Sequence, residues 1–353
     1  MLKKIIPLST RNKLRRTFLH YSLKFGSKNI FMSKLYYFFL SREFGREEHA
    51  VLNGRRKYHN SVKNDVHALV LLRRNIHRVE KGLIMRPRKD AFGKAYIIET
   101  LVAYKTCVDN KIGEDAEIKW ANDVLEKFFS SVTHSDHDEI GKAWSIYCSI
   151  DKNVIGTPMS DVPYTFSSKP DLDVSYEQLQ SLFLNRRSVR WYEQKRVPEE
   201  LIRKAVQQAS LAPSACNRQP FSFHLTLEPE KAVKVANYAM GTAGFSHNIP
   251  AIIAVVGDLS AYPFERDRHV IYIDGSLASM QLMLSLETLG LSSCPINWPD
   301  IEDRDRKISE ELGLEVYEKV IMLIAVGYGD KEGLIPFSQK KSADTLIKFI
   351  GEE

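Results

Sequence analysis

Three things are scarce in this chain of 353 residues. Cysteine occurs only at Cys107, Cys148, Cys216 and Cys294, with no C-x-x-C pair among them. Thiols so scattered suit neither a zinc site nor a disulfide framework, and a reducing cytoplasm fits them. Long apolar runs are also missing, and none approaches the ~20 residues that cross a bilayer. The positive start "MLKKIIPLST" meets Arg11, Lys13, Arg15 and Arg16 before a signal-peptide core can develop, which disfavours secretion. Finally, neither G-x-G-x-x-G nor G-x-x-x-x-G-K-S/T occurs, so the usual glycine-rich phosphate cradles are absent. His67 and His77, ten apart, suit no single-helix metal pair, and no metal is expected.

What is present is an ordinary globular composition with a lopsided charge. Hydrophobic residues make up 44% of the chain and charged ones 27%, enough for a packed core rather than wholesale disorder. The formal net charge of +6 hides an asymmetry: residues 1–90 hold 22 Lys and Arg against 6 Asp and Glu, which leaves 28 against 38 for residues 91–353. A segment so basic meets something anionic: a membrane surface, a nucleic acid, or an acidic part of this chain or of a partner. "RRNIHRVEKGLIMRPRK" lacks the interleaved aromatics that stack on bases, and no nucleic acid is expected. "IFMSKLYYFFLSREF" is aromatic and flanked by Lys24, Lys28, Arg42 and Arg46; it reads either as an interfacial helix or as a helix packed on the rest of the protein. Residues 1–90 are thus a candidate for peripheral membrane or protein contact.

Helical periodicity dominates the first part of the chain. "VHALVLLRRNIHRVEKGL" sets Val66, Leu69, Val70, Ile76 and Val79 at roughly helical spacing, and "YIIETLVAYKTCV" and "WANDVLEKFFSSV" repeat the habit. Periodicity then lapses where Gly156, Pro158, Pro163 and Pro170 gather. The expected organisation is a basic helical domain over 1–150, a linker over 151–177, and a second domain over 178–353. In the second domain "FSFHLTLE", "AIIAVVGD" and "VIMLIAVGYGD" read as strands, "YEQLQSLFLNRRSVR" as a helix ending in basic residues, and "GSLASMQLMLSLETLGL" as a buried helix, being apolar nearly all round. Without a regular βαβ rhythm the expected fold is α+β, a mixed and mainly antiparallel sheet wrapped by helices and preceded by a helical domain, not a Rossmann domain.

The stretch from Arg186 to Phe223 concentrates the chemistry. Arg186, Arg187 and Arg190 offer permanently charged planar donors suited to a phosphate, with the Ser188 hydroxyl among them. One helix later, "APSACNRQP" supplies Ser214, Asn217 and Gln219 to read the edge of a polar heterocycle, while Pro213 and Ala215 keep the surface small and flat. Phosphate and ring ends of one ligand could lie at opposite ends of a single cleft.

In these residues the chain resembles the FMN-dependent nitroreductases, over roughly residues 178–350. "RRSVRWY" looks like the family's R-R-S-x-R segment, which binds the FMN phosphate and ribityl chain; Arg186, Arg187, Ser188 and Arg190 match. "APSACNRQPFSF" is similar to its A-P-S-x-x-N-x-Q-P-W loop, which lines the isoalloxazine ring, with Phe221 in the tryptophan position. "LGLSSCPINW" resembles the segment after the central helix, which implies that Pro295, Ile296 and Asn297 cover the ring and that the Asn297 N–H points at N5. "GYGD…SQKKS" is similar to the strand end and basic pair that complete the phosphate site; Lys340 and Lys341 match, and Gly329 replaces the usual proline.

The resemblance implies FMN as cofactor, NADH or NADPH as reductant, a small organic acceptor and a homodimer with each flavin site lined by both subunits. The flavin carries the chemistry, so no catalytic side chain is named. Cys216 and Cys294 fall beside flavin segments and read as packing residues rather than redox thiols. Two other readings stay open: a flavin-fold binding or scaffolding protein whose N-terminal domain carries the function, and a desaturating or flavin-cleaving relative that needs no nicotinamide. Asn248 either reaches the cofactor or caps a turn.

Overall fold

A computed structural model describes residues 8–63, 68–133, 138–151 and 159–351. The N-terminal residues 1–7, Val66 and His67 of the first helical stripe, and Gly156 and Pro158 of the expected linker lie outside the described residues. The chain divides into two compact units, Met1–Asn53 and Gly54–Glu353.

In the first unit lie α1 (Leu8–Gly26) and α2 (Ile30–Tyr36), the latter running on as a π-helical turn at Tyr37–Ser41. Asn29 starts α2, its side-chain oxygen accepting from the backbone N–H groups of Phe31 (3.1 Å) and Met32 (3.0 Å). The division between units falls inside α3 (Gly45–Lys63).

After the end of α3, the second unit sets four helices around their own core: α4 (Ala68–Leu83), α5 (Ile97–Asp109), α6 (Asp115–Phe129) and α7 (Glu139–Cys148). On α4 the buried stripe is Leu72, Ile76 and Val79, while Leu69 and Val70 are only half-buried. Tyr104, Phe128 and Tyr147 fill the middle of this core. The Tyr104 and Tyr147 hydroxyls both donate to the Asn122 side-chain oxygen, at 3.3 and 3.0 Å, so the buried polar atoms are satisfied.

The remainder is an α+β assembly, as the sequence predicts. It contains α8 (Tyr176–Asn185), α9 (Glu199–Ala209), β1 (Phe221–Thr226), α10 (Pro229–Tyr238), β2 (Ala251–Asp258), α11 (Val270–Thr288), β3 (Ser292–Asn297), α12 (Glu302–Leu312), β4 (Glu318–Gly327) and the short α13 (Ala343–Leu346). The sheet order is β1-β2-β4-β3, and all three pairings are antiparallel. Among the described residues the parallel element is the isolated bridge between Ser188 and Ser293. β2 is apolar from Ala251 to Val256 because both faces are covered there: Ile252, Ala254 and Val256 pack towards α10 and α12, Ala251, Ile253 and Val255 towards α9 and α11. Full burial of each Ile or Val in such a strand contributes roughly 1.5–3 kcal/mol.

Two sequence expectations change here, and one strand is added. The helix expected to run into "RRSVR" stops at Asn185, because the Val189 N–H is drawn to the Ser293 carbonyl (3.1 Å) and the segment becomes extended. "SSCPIN" is an edge strand, the place in a sheet where Pro295 can sit without breaking a ladder. The helix expected to be buried is buried on one side only. Ile271, Gly275 and Leu282 of α11 face the sheet, with Gly275 so close to Ile321 that an added Cβ would lie 2.4 Å from its Cδ1. On the other side Ile273 (56%), Leu277 (43%) and Met280 (38%) remain exposed, an apolar stripe that a lone chain leaves uncovered.

Candidate functional site

The extended segment after α8 forms one wall of a recess of about 300 Å³, and residues 336–340 form the other. Of the expected phosphate ligands, Arg186, Arg187, Ser188, Arg190 and Lys340 line it together; Lys341 is exposed and lies outside its lining. Arg187 ties the walls, donating from Nη2 to the carbonyls of Pro336 (2.6 Å) and Phe337. Arg190 is braced by Nη1 on the Ser188 carbonyl (3.3 Å) and by the Phe245 ring 5.8 Å away.

Asn248 sets the course of this segment. Its side-chain oxygen accepts from the Tyr192 N–H (2.8 Å), and its amide donates to the carbonyls of Arg190 (3.0 Å) and Phe245 (2.5 Å). Those three bonds engage both ends of a buried side chain, so Asn248 positions the arginine segment through the backbone.

None of Arg186, Arg187, Arg190 and Lys340 pairs with a carboxylate among the described residues, and Arg186 Nε is buried without a partner. The acid acting on Arg186 is Glu287, whose carboxyl burial pushes up and Arg186 holds down. These four cations form no ion pair with a carboxylate among the described residues, Glu287 acting on Arg186 without forming one, and a phosphate monoester would supply both charge and acceptors. The donor set therefore fits the phosphate end of FMN.

The expected ring-end loop is strained and held from two directions. Cys216 (φ 54°), Asn217 (φ 50°) and Gln219 (φ 50°) all adopt left-handed backbone, which costs non-glycine residues of order 1 kcal/mol or more each. Asp274 of α11, 3% exposed, offsets this: its Oδ2 accepts from Ser214 Oγ (2.7 Å) and from the Ala215 N–H (2.9 Å). Ser214 Oγ in turn accepts from the Gln219 N–H (2.8 Å), which closes the loop on itself. Asn217 and Gln219 also meet side chain to side chain, Gln219 Nε2 donating to Asn217 Oδ1 at 3.2 Å. Pro213 is exposed beside them and Ala215 half-buried.

From the other direction, Arg73 of α4 donates its Nε–H to the Asn217 carbonyl (3.0 Å). Arg73 is itself held by Glu117 and lies 5.7 Å from the Trp120 ring, so the helical region reaches the loop through a supported side chain. Replacing Arg73 by alanine removes one charge-assisted bond, about 1.5–3 kcal/mol. The expected outcome is faster amide exchange over residues 214–219 and flavin affinity lower by roughly tenfold, read by hydrogen exchange and fluorescence titration.

The third expected piece is mixed. Pro295 is half-buried and Asn297, the last residue of β3, is exposed, but the Ile296 side chain is buried in the sheet core and faces away from any surface ligand. Cys294 is buried and its thiol is pushed up by that burial, which keeps it protonated near neutral pH and fits a packing role.

The recess at Arg186–Arg190 includes no residue of 213–219, and Gln219 lines a separate groove with Arg73, Glu117, Ile202 and Phe221. Sequence reading missed Asp274 and Arg73. The signal for Asp274 was present: it is the one charged residue between Val270 and Leu286, an acid in an apolar helix. Arg73 had no such signal.

Comparison with known proteins bears on the same half of the chain. The model described as "Nitroreductase family" matches residues 184–243 and 224–328. A protein of Archaeoglobus fulgidus described as an NADH dehydrogenase/NAD(P)H nitroreductase is 30% identical over 158 residues, 44% of this chain and 88% of that protein. Human iodotyrosine deiodinase 1 is 24% identical over 216 residues, 53% of this chain and 74% of that protein. Among solved structures, an FMN-dependent nitroreductase from Clostridium difficile R20291 aligns with 44% of this chain and 91% of its own, at 27% identity and a TM-score of 0.39.

Proposed function

The chain belongs to the nitroreductase family, and on that premise we propose that it is an FMN-dependent oxidoreductase that draws on NADH or NADPH and reduces a small organic acceptor such as a nitro compound, a quinone, an enone or a biosynthetic intermediate. The observation that carries this reading is the recess in which Arg186, Arg187, Arg190 and Lys340 converge with no ion-pair partner among the described residues. When bound, FMN supplies hydride transfer between the nicotinamide and the acceptor.

The chain's own residues bind and orient. Arg186, Arg187 and Arg190, with Ser188 and Lys340, would hold the phosphate, and Lys341 would add charge from outside the recess. Asp274 and Arg73 hold the loop from Pro213 to Gln219 in the shape that presents Ser214, Ala215, Asn217 and Gln219 to the ring. Pro295, Asn297 and the main chain at Ile296 would cover it. Residues 178–353 carry the flavin, and the helical residues before the 151–177 linker modify its site through Arg73.

We propose a homodimer in which both subunits line each site. It is supported by the exposed stripe Ile273, Leu277 and Met280 and by the separation of recess and ring-end loop in one chain. The four free cysteines support a cytoplasmic setting. No helix among the described residues is long and apolar enough to cross a membrane, so residues 1–90 are proposed as a peripheral contact.

The purified protein is expected to be yellow, with an absorbance band near that of free FMN, and to bleach anaerobically on addition of NADH or NADPH. Colourless protein that FMN cannot reconstitute would overturn the reading. Yellow protein that neither nicotinamide bleaches would turn it towards a relative that works without one.

A further inference from the structure

We infer that residues 14–42 bind the surface of an anionic lipid bilayer, with Phe38 and Phe39 as the inserting side chains. The inference rests on the peripheral-contact reading of residues 1–90 and narrows it to one partner; it is independent of the flavin chemistry.

From Leu8 to Arg42 the chain has eight Lys or Arg and no Asp or Glu. Cations this dense serve no ion pair within the segment, and an anionic surface is their complement. Apolar side chains stand out between them. On α1, Leu14 (59% exposed), Phe18 (64%), Tyr21 (64%) and Phe25 (46%) follow at intervals of four, three and four, which puts them on one helical face. The π-helical turn then exposes three consecutive apolar residues, Phe38 (70%), Phe39 (68%) and Leu40 (53%). Consecutive positions of a helical turn point in well-separated directions, so one packing face could not cover all three. Ile30 and Phe31 at the start of α2 are equally open. Exposed apolar surface on this scale marks an interaction site.

The mixture decides between partners. Nucleic acid would use aromatics for base stacking, whereas leucine and isoleucine stack on nothing; here Leu14, Leu19, Leu23, Ile30 and Leu40 are exposed beside the rings. A bilayer interface takes aliphatic and aromatic side chains alike while its anionic headgroups meet the lysines and arginines. No helix among the described residues is long and apolar enough to span, which favours adsorption at the interface.

The test is sedimentation of the full-length protein with extruded vesicles. Binding is expected to phosphatidylcholine vesicles carrying about 30% phosphatidylserine, to be at least tenfold weaker to phosphatidylcholine alone, and to fall on raising salt from roughly 0.1 to 0.5 M. The variant carrying Phe38→Ser and Phe39→Ser should bind the anionic vesicles at least tenfold more weakly with an unchanged circular dichroism spectrum. Its flavin content should also be unchanged, since both side chains are solvent-facing. Failure of the native protein to sediment with anionic vesicles, or equal binding by the variant, overturns the inference. So does tighter binding to duplex or transfer RNA than to the vesicles. None of those outcomes touches the colour and bleaching test of the flavin.

Discussion

Replacing Arg186 and Arg190 together by alanine is expected to leave a folded protein without its flavin. Each guanidinium would contribute a charge-assisted hydrogen bond to a phosphate, about 1.5–3 kcal/mol apiece. Losing both weakens binding by roughly 3–6 kcal/mol, or about two to four orders of magnitude in Kd. The fold should survive because neither side chain holds the recess together. Arg187 makes the ties to the Pro336 and Phe337 carbonyls, and Asn248 grips the backbone at Arg190 and Tyr192, which the side-chain truncation leaves in place. The flavin-to-protein absorbance ratio after desalting, with a thermal melt as control, reads the result. Stoichiometric flavin in the double variant would place the phosphate elsewhere.

Asp274→Ala is expected to damage both stability and flavin binding, because it removes the acceptor that holds Ser214 and Ala215. Two donors would be left unpartnered in a half-buried setting, and three left-handed residues would lose what fixes them. A loss of about 2–4 kcal/mol in unfolding free energy follows, with flavin affinity down by at least tenfold. Asp274→Asn separates geometry from charge. Both native bonds run to the same oxygen, Oδ2, so an asparagine that places its carbonyl there still accepts both. Asp274→Asn is therefore expected to bind flavin within roughly threefold of the native protein. An asparagine variant as impaired as alanine would show that the charge, not the acceptor geometry, organises the loop.

Much of the candidate site was legible because its pieces are local. Three arginines and a serine within five positions offer a dense set of donors suited to an anion, and "APSACNRQP" is loop-forming by composition alone. The helical stripes of α4 to α6 and the β-branched or aromatic runs of β1, β2 and β4 are likewise statements about near neighbours. Where sequence reading strayed, a distant partner had intervened. The bridge to Ser293 ended α8 before its arginines, and Ile296 turned into the sheet core because strand alternation in β3 placed it there.

Composition and spacing alone determined the α+β class, the arginine-rich segment proposed to bind an anion, the small polar loop and the basic, acid-free start of the chain. The tertiary structure decided what holds these pieces. Asp274 reaches Ser214 across 60 residues and Arg73 reaches Asn217 across 144, and no periodicity or motif encodes a side-chain bond at such range. It also decided which side of α11 meets the sheet and which stays bare: an apolar helix looks alike from every direction until its neighbours are packed, and only then does the stripe of Ile273, Leu277 and Met280 stand out as a surface that needs a partner.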